Sequence, residues 1–202
     1  MTDEKRTVCG LEVKFAMHIG EREVVFLLDP QNEETPYMVG NYTLNSLGME
    51  QVAEIIGSGD YLEVVDEFLD RVKGQVVQVR AGRKRFDEPQ EVFGTEHCLP
   101  GGMEHSLQGM VVVIKPDMLR PEYRNVASQL VLVSGGNGAS PNARGQSVFG
   151  NTVFSGERST WRRYDVLGVL DPAKAPSWLK SGVAAIQTQK KSKEKGGKPH
   201  EL

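Results

Sequence analysis

Residues 134–165 read SGGNGASPNARGQSVFGNTVFSGERSTWRRYD, and this stretch decides how the second half of the chain folds. Its first twelve residues are rich in Gly, Asn and Ser, which tolerate positive φ and leave backbone N–H groups bare. The segments that follow, SVFGNTVF (147–154) and TWRRYDVLGVL (160–170), are apolar, aromatic and β-branched, so they read as strands. A glycine loop leading into a strand, with no GK[ST], fits neither a P-loop nor a dinucleotide-binding turn, and no cofactor is expected. The polar groups Asn137, Asn142 and Arg144 suit a phosphate held in a nest of amides. The same residues also make an ordinary β-hairpin loop.

The run ERSTWRRYD carries the second candidate group, Arg158, Trp161, Arg162, Arg163 and Tyr164. Guanidinium forks and flat rings hold phosphates and bases. On a single strand Trp161 and Arg163 would point one way and Arg162 and Tyr164 the other, so only one alternate pair would be free to bind. Trp161 packed in the core, with Asp165 in a surface ion pair, is the competing reading.

Working outward, MVVVI (110–114) and QLVLV (129–133) add strands, joined by the Pro-punctuated KPDMLRPEYRN. Several short strands within about 60 residues predict a small curled sheet or barrel. After Pro172 and Pro176, SWLKSGVAAIQ places Trp178, Leu179, Val183 and Ile186 on one face of a helix. From Lys190 the chain is charged and nearly free of apolar residues, which predicts a disordered tail over 190–202.

Towards the N-terminus, LEVKFAMHI (11–19) and REVVFLL (22–28) read as a hairpin, and PYMVGNYT adds a third strand of a β-meander. Residues 58–80 carry Tyr61, Leu62, Val65, Phe68, Leu69, Val72, Val76 and Val79 at helical spacing. Asp60 is the expected N-cap, with Glu63 completing a capping pattern. A shorter helix is expected over 49–56. Residues 82–106 have no period and collect Gly and Pro, as a linker or irregular loop does. The expected fold is α+β, with an acidic hairpin and helix region over 1–84, the linker over 85–106, a basic β module with its C-terminal helix over 107–189, and the tail.

The net charge of −3 divides into −10 up to Ser106 and +7 beyond it. Such a split indicates halves that face different partners, or each other. In the acidic half, Glu63, Asp66, Glu67 and Asp70 on the outer face of the helix either keep the protein soluble or imitate a phosphate backbone for a protein partner. In the basic half, the terminal lysines add salt-sensitive attraction to polyanions. No apolar run approaches the roughly 20 residues of a membrane helix. The polar start MTDEKRT shows no secretory signal, so a cytoplasmic setting and free thiols at Cys9 and Cys98 are expected. His97, Cys98 and His105, with Glu96 and Glu104, are metal-ligand types, but their spacing matches no standard finger. Metal is not expected, and a Cys98–His105 nucleophile pair lacks a visible third member.

The segment IKPDMLRPEYR, the loop GGNGASPNARG, the strand TWRRYDVLGV and the helix entry PSWLK together resemble a family of small accessory proteins carried by conjugative elements and phages of gut Firmicutes. The matching positions are Lys115 and Pro116, 120–124, 135–145, 148–156 and 161–168. They cover roughly residues 110–186 and extend weakly to the helix near Tyr61. The resemblance brings no catalytic residues. It implies cargo that protects a mobile element, most specifically an anti-CRISPR that inhibits a Cas9-type nuclease by binding it or its guide RNA or DNA. The alternatives are a nonspecific DNA- or RNA-binding module and a metal-dependent nuclease built on the His97/His105 loop.

Overall fold

The computed structural model describes residues 5–45, 47–141 and 145–196. It has an α+β fold in two compact units, Met1–Asp87 and Glu88–Leu202. No helix among the described residues is long and apolar enough to cross a membrane.

The first unit is an antiparallel meander of β1 (Thr7–Val8), β2 (Leu11–Ile19), β3 (Arg22–Leu28), β4 (Tyr37–Leu44) and β5 (Glu50–Ser58), in that spatial order. The helix α1 (Tyr61–Arg85) packs on one face. Val24 and Phe26 of β3 meet Val64 and Phe68 of α1, while Val25 and Leu27 join Val8 on the opposite face. Covering both faces explains why the centre of β3 is a continuous apolar run rather than an alternation. The stripe on α1 is rotated from the expected one, with Val64 buried and Leu62 and Leu69 exposed. Asp60 caps the helix, accepting from the N–H of Leu62 at 2.8 Å. Glu63 does not close a capping box; it accepts from the Ser58 hydroxyl, whose oxygen accepts from the N–H of Asp60.

The short helix expected over 49–56 is instead the strand β5, Glu50–Ser58. The ladder to β4 runs from Tyr37 opposite Ser58 to Leu44 opposite Glu50. The Asn45 carboxamide accepts from the N–H groups of Leu47 and Met49, which fixes the turn between the two strands. This tertiary pairing overrides an ambiguous local pattern.

The second unit holds a curled antiparallel sheet in the order β10-β6-β7-β8-β9. Its strands are β6 (Val111–Ile114), β7 (Leu130–Gly135), β8 (Ser147–Thr152), β9 (Arg158–Arg162) and β10 (Val166–Val169). The short helix α2 (Val126–Gln129) leads into β7, and α3 (Leu179–Gly196) closes the fold. Val112, Val131, Val133 and Val148 fill the core on one face, while Val113, Leu130 and Val153 fill the other against Trp178, Leu179 and Val183. Strong helix formers carry α3 through Lys190 as far as Gly196, into the stretch expected to be disordered. Residues 197–202 of that stretch lie outside the described residues.

Irregular residues from Glu88 onward belong to this unit. Phe93 is buried, Cys98 bridges to Leu170, and Leu99 donates to the Val169 carbonyl along the outer edge of β10. Gln129, with no exposed surface, locks this segment to the sheet. Its amide nitrogen donates to the carbonyls of Phe93 and Ile114, both at 2.9 Å, and its oxygen accepts from the Phe93 N–H at 2.8 Å. Gln129→Leu strips all three bonds at nearly constant volume. It should destabilise the second unit by about 3 kcal/mol, since each stranded buried group costs about 1–3 kcal/mol. Both tryptophans, Trp161 and Trp178, lie in this unit, so urea unfolding followed by tryptophan fluorescence reports the loss directly.

Candidate functional site

The expected strand over 160–170 is broken. β9 ends at Arg162, residues Arg163–Asp165 form a 3-10 turn, and β10 begins at Val166. The Asp165 carboxylate stabilises the turn by accepting from the Arg162 N–H at 2.8 Å. Arg163 is drawn inward, and its guanidinium donates to the carbonyls of Gly138, Ser140 and Met103. It clamps the glycine loop and is not available to a ligand.

The loop itself is stapled from several sides. Asn137 is exposed, yet its side-chain oxygen accepts from the N–H of Ser147 at 2.9 Å. Gly136 sits at φ +114°, where an added Cβ would lie 2.2 Å from the Ser147 carbonyl oxygen, so the close chain crossing requires glycine. Asn142 and Arg144 lie outside the described residues. Of the expected phosphate cradle, the described part therefore serves to hold its own chain.

The second candidate group divides by strand face. Trp161 turns inward, half-buried against the core, with its indole N–H buried and unpartnered. Arg158, Thr160 and Arg162 point to the other face and are exposed or partly so. Arg162 lies over the Tyr164 ring at 5.5 Å and donates to its hydroxyl, which raises the guanidinium pKa above its ordinary value and keeps it charged. Register adds a residue that sequence reading missed. Phe149 lies opposite Thr160 and Asn151 opposite Arg158, so a 46% exposed phenyl ring stands on the same face as the two arginines. Only the pairing of β8 with β9 could have singled it out.

This face is one wall of a cleft of about 910 Å³, and the second half of α3 is the other. Trp178 anchors the start of the helix edge-on against Phe154 at 5.3 Å, and Ile186 is buried two turns further on. At Gly182 an added Cβ would lie 2.6 Å from the Val153 carbonyl oxygen, so glycine lets the helix backbone sit directly on the end of β8. Beyond that contact, Gln187 and Lys190 face Phe149, Arg158 and Thr160 across open space. Among the described residues, Arg158 and Lys190 make no ion pair and no carboxylate lines the cleft.

The acidic candidates sit on α1. Asp66 and Asp70 are exposed, Glu63 is held by Ser58, and Glu67 is paired with Arg71 at 2.7 Å. Among the described residues, Glu63, Asp66 and Asp70 are thus the members of this group without an ion-pair partner.

His97 and Cys98 serve packing, whereas His105 is exposed. The His97 ring stacks on Phe93 with centroids 4.0 Å apart, and its Nδ1 accepts from the Gly94 N–H at 3.1 Å. Among the described residues, no three His, Cys, Asp or Glu side chains gather as a metal-holding group. Burial pushes the Cys98 thiol pKa up, and the Glu96 carboxylate adds to the effect. Less thiolate and less access make Cys98 a poor nucleophile. A disulfide reagent at pH 8 should therefore modify exposed Cys9 quickly and Cys98 only slowly, the second thiol becoming fast in denaturant. Equal rates in the folded protein would contradict this placement.

Comparison of the chain with protein-family models, with curated proteins and with solved structures finds no match.

Proposed function

We propose that this chain is a binding protein whose second unit grips a nucleic-acid strand along the exposed face of β8 and β9. One observation carries the reading: Arg158 and Arg162 share that face with the half-exposed Phe149 and, through its stack on Arg162, Tyr164. Cations without carboxylate partners attract phosphates by counterion release, and exposed rings give bases a stacking surface. A β-face of this composition suits single strands, whose bases are free to stack.

The resemblance to mobile-element accessory proteins supplies a setting. There, the strand would be the guide RNA or DNA of a Cas9-type nuclease, and the protein would act as an anti-CRISPR. The carboxylates Glu63, Asp66 and Asp70 of α1 favour direct contact with the nuclease as a second element of the same reading, because an acidic helix is steered into a basic nucleic-acid channel.

Fluorescence anisotropy with a labelled single-stranded oligonucleotide tests the grip. Arg158→Glu combined with Arg162→Glu should weaken binding more than about tenfold at low salt and flatten the slope of log K against log salt. Unchanged binding, or none by the unaltered chain, would overturn it. Plasmid interference by a Cas9, with and without this protein in the cell, tests the setting. Protection that stays stoichiometric with the nuclease is expected, and no protection at good expression would refute the anti-CRISPR role.

A further inference from the structure

The cleft between the β8–β9 face and α3 has a chemistry more specific than a strand-tracking surface. One wall carries the Phe149 ring, the Arg158 guanidinium and the Thr160 hydroxyl, and the opposite wall carries the Gln187 amide and the Lys190 ammonium. The side chains of Thr160, Gln187, Arg158 and Lys190 make no hydrogen bond or ion pair among the described residues. Leu132 and Ile186 make the floor apolar. The volume, about 910 Å³, lies within the range of sites that enclose small organic ligands. An apolar floor, one exposed ring, unpartnered hydrogen-bonding groups and cations on two walls fit a ligand with a flat heteroaromatic part and an attached anion.

We infer that this cleft is a pocket for one nucleoside phosphate unit, with its base against Phe149 and its phosphate between Arg158 and Lys190. Thr160 and Gln187 supply hydrogen bonds to the base or sugar edges. The inference rests on the reading that the second unit binds nucleic acid, and narrows it. A double helix keeps its bases stacked and paired, so it cannot offer one to the pocket, whereas a single strand or a free nucleotide can. A unit within a strand and a free mononucleotide present the same chemistry, and the test separates them.

The experiment measures binding of an oligothymidine strand, a mixed-sequence duplex and thymidine monophosphate to the full chain and two variants. Phe149→Ala removes the stacking surface. Gln187→Trp, at an exposed helix position, fills the space without touching the core. Circular dichroism melts confirm that each variant is folded, and if Phe149→Ala unfolds, Gln187→Trp decides alone. Both variants should weaken oligothymidine binding by about tenfold to a hundredfold, the range for loss of a stacked base. The duplex should bind more weakly than the strand and be insensitive to either change. If the strand binds and neither variant weakens it, the pocket is refuted while the grip along β9 stands. Where only thymidine monophosphate binds, and both variants weaken it, the pocket holds for a free nucleotide and the strand-binding reading fails. Absence of binding to all three probes refutes both.

Discussion

The contact between Gly182 and the carbonyl of Val153 governs the second unit. A side chain at residue 182 would hold α3 away from the end of β8. With glycine, Trp178 reaches Phe154, Leu179 and Val183 close over Leu130 and Val113, and the first half of α3 seals that part of the sheet. Beyond that contact, Gln187 and Lys190 of the helix line the cleft opposite Phe149 of β8 and Arg158 and Thr160 of β9. The cleft follows from where the helix can touch and where it cannot.

Two consequences concern charge. Arg163 is consumed in holding the glycine loop through three carbonyls, so it adds rigidity where Arg158 and Arg162 add attraction. At the other end of the sheet, Leu99 and Cys98 cover the β10 side, while β9 is the edge strand with no further strand paired to it among the described residues and carries cations on its outward face. Edge strands commonly carry such charges to discourage pairing with other sheets. Here the charges lie beside exposed rings and a polar cleft, an arrangement that protection from aggregation does not require.

Much of the fold was legible because periodicity reports burial directly. The spacing from Tyr61 to Val79 gave α1, the runs VVVI and LVLV gave the centre of the second sheet, and the Pro-Trp entry gave α3. Legibility failed where distant residues decide. Residues 50–58 form a strand because β4 offers a ladder, and nothing local states that. The inward hold on Arg163 after the break depends on carbonyls of Met103 and Gly138, which are far away in sequence. Strand parity correctly set Trp161 and Arg163 inward and Arg162 and Tyr164 outward, but it did not show that the strand breaks after Arg162 or that Arg163 is spent on the loop carbonyls. Phe149 and Lys190 gained meaning only when β8 and α3 were brought to opposite sides of one space.

The most direct test of the central claim is a map of backbone amide chemical shifts in the full chain, recorded while a single-stranded oligonucleotide is titrated in. The account predicts saturable shifts concentrated in β8, β9 and residues 186–190 of α3, with β6, β10 and the first unit little changed. Shifts confined to the acidic helix α1, or spread evenly without saturation, would contradict it.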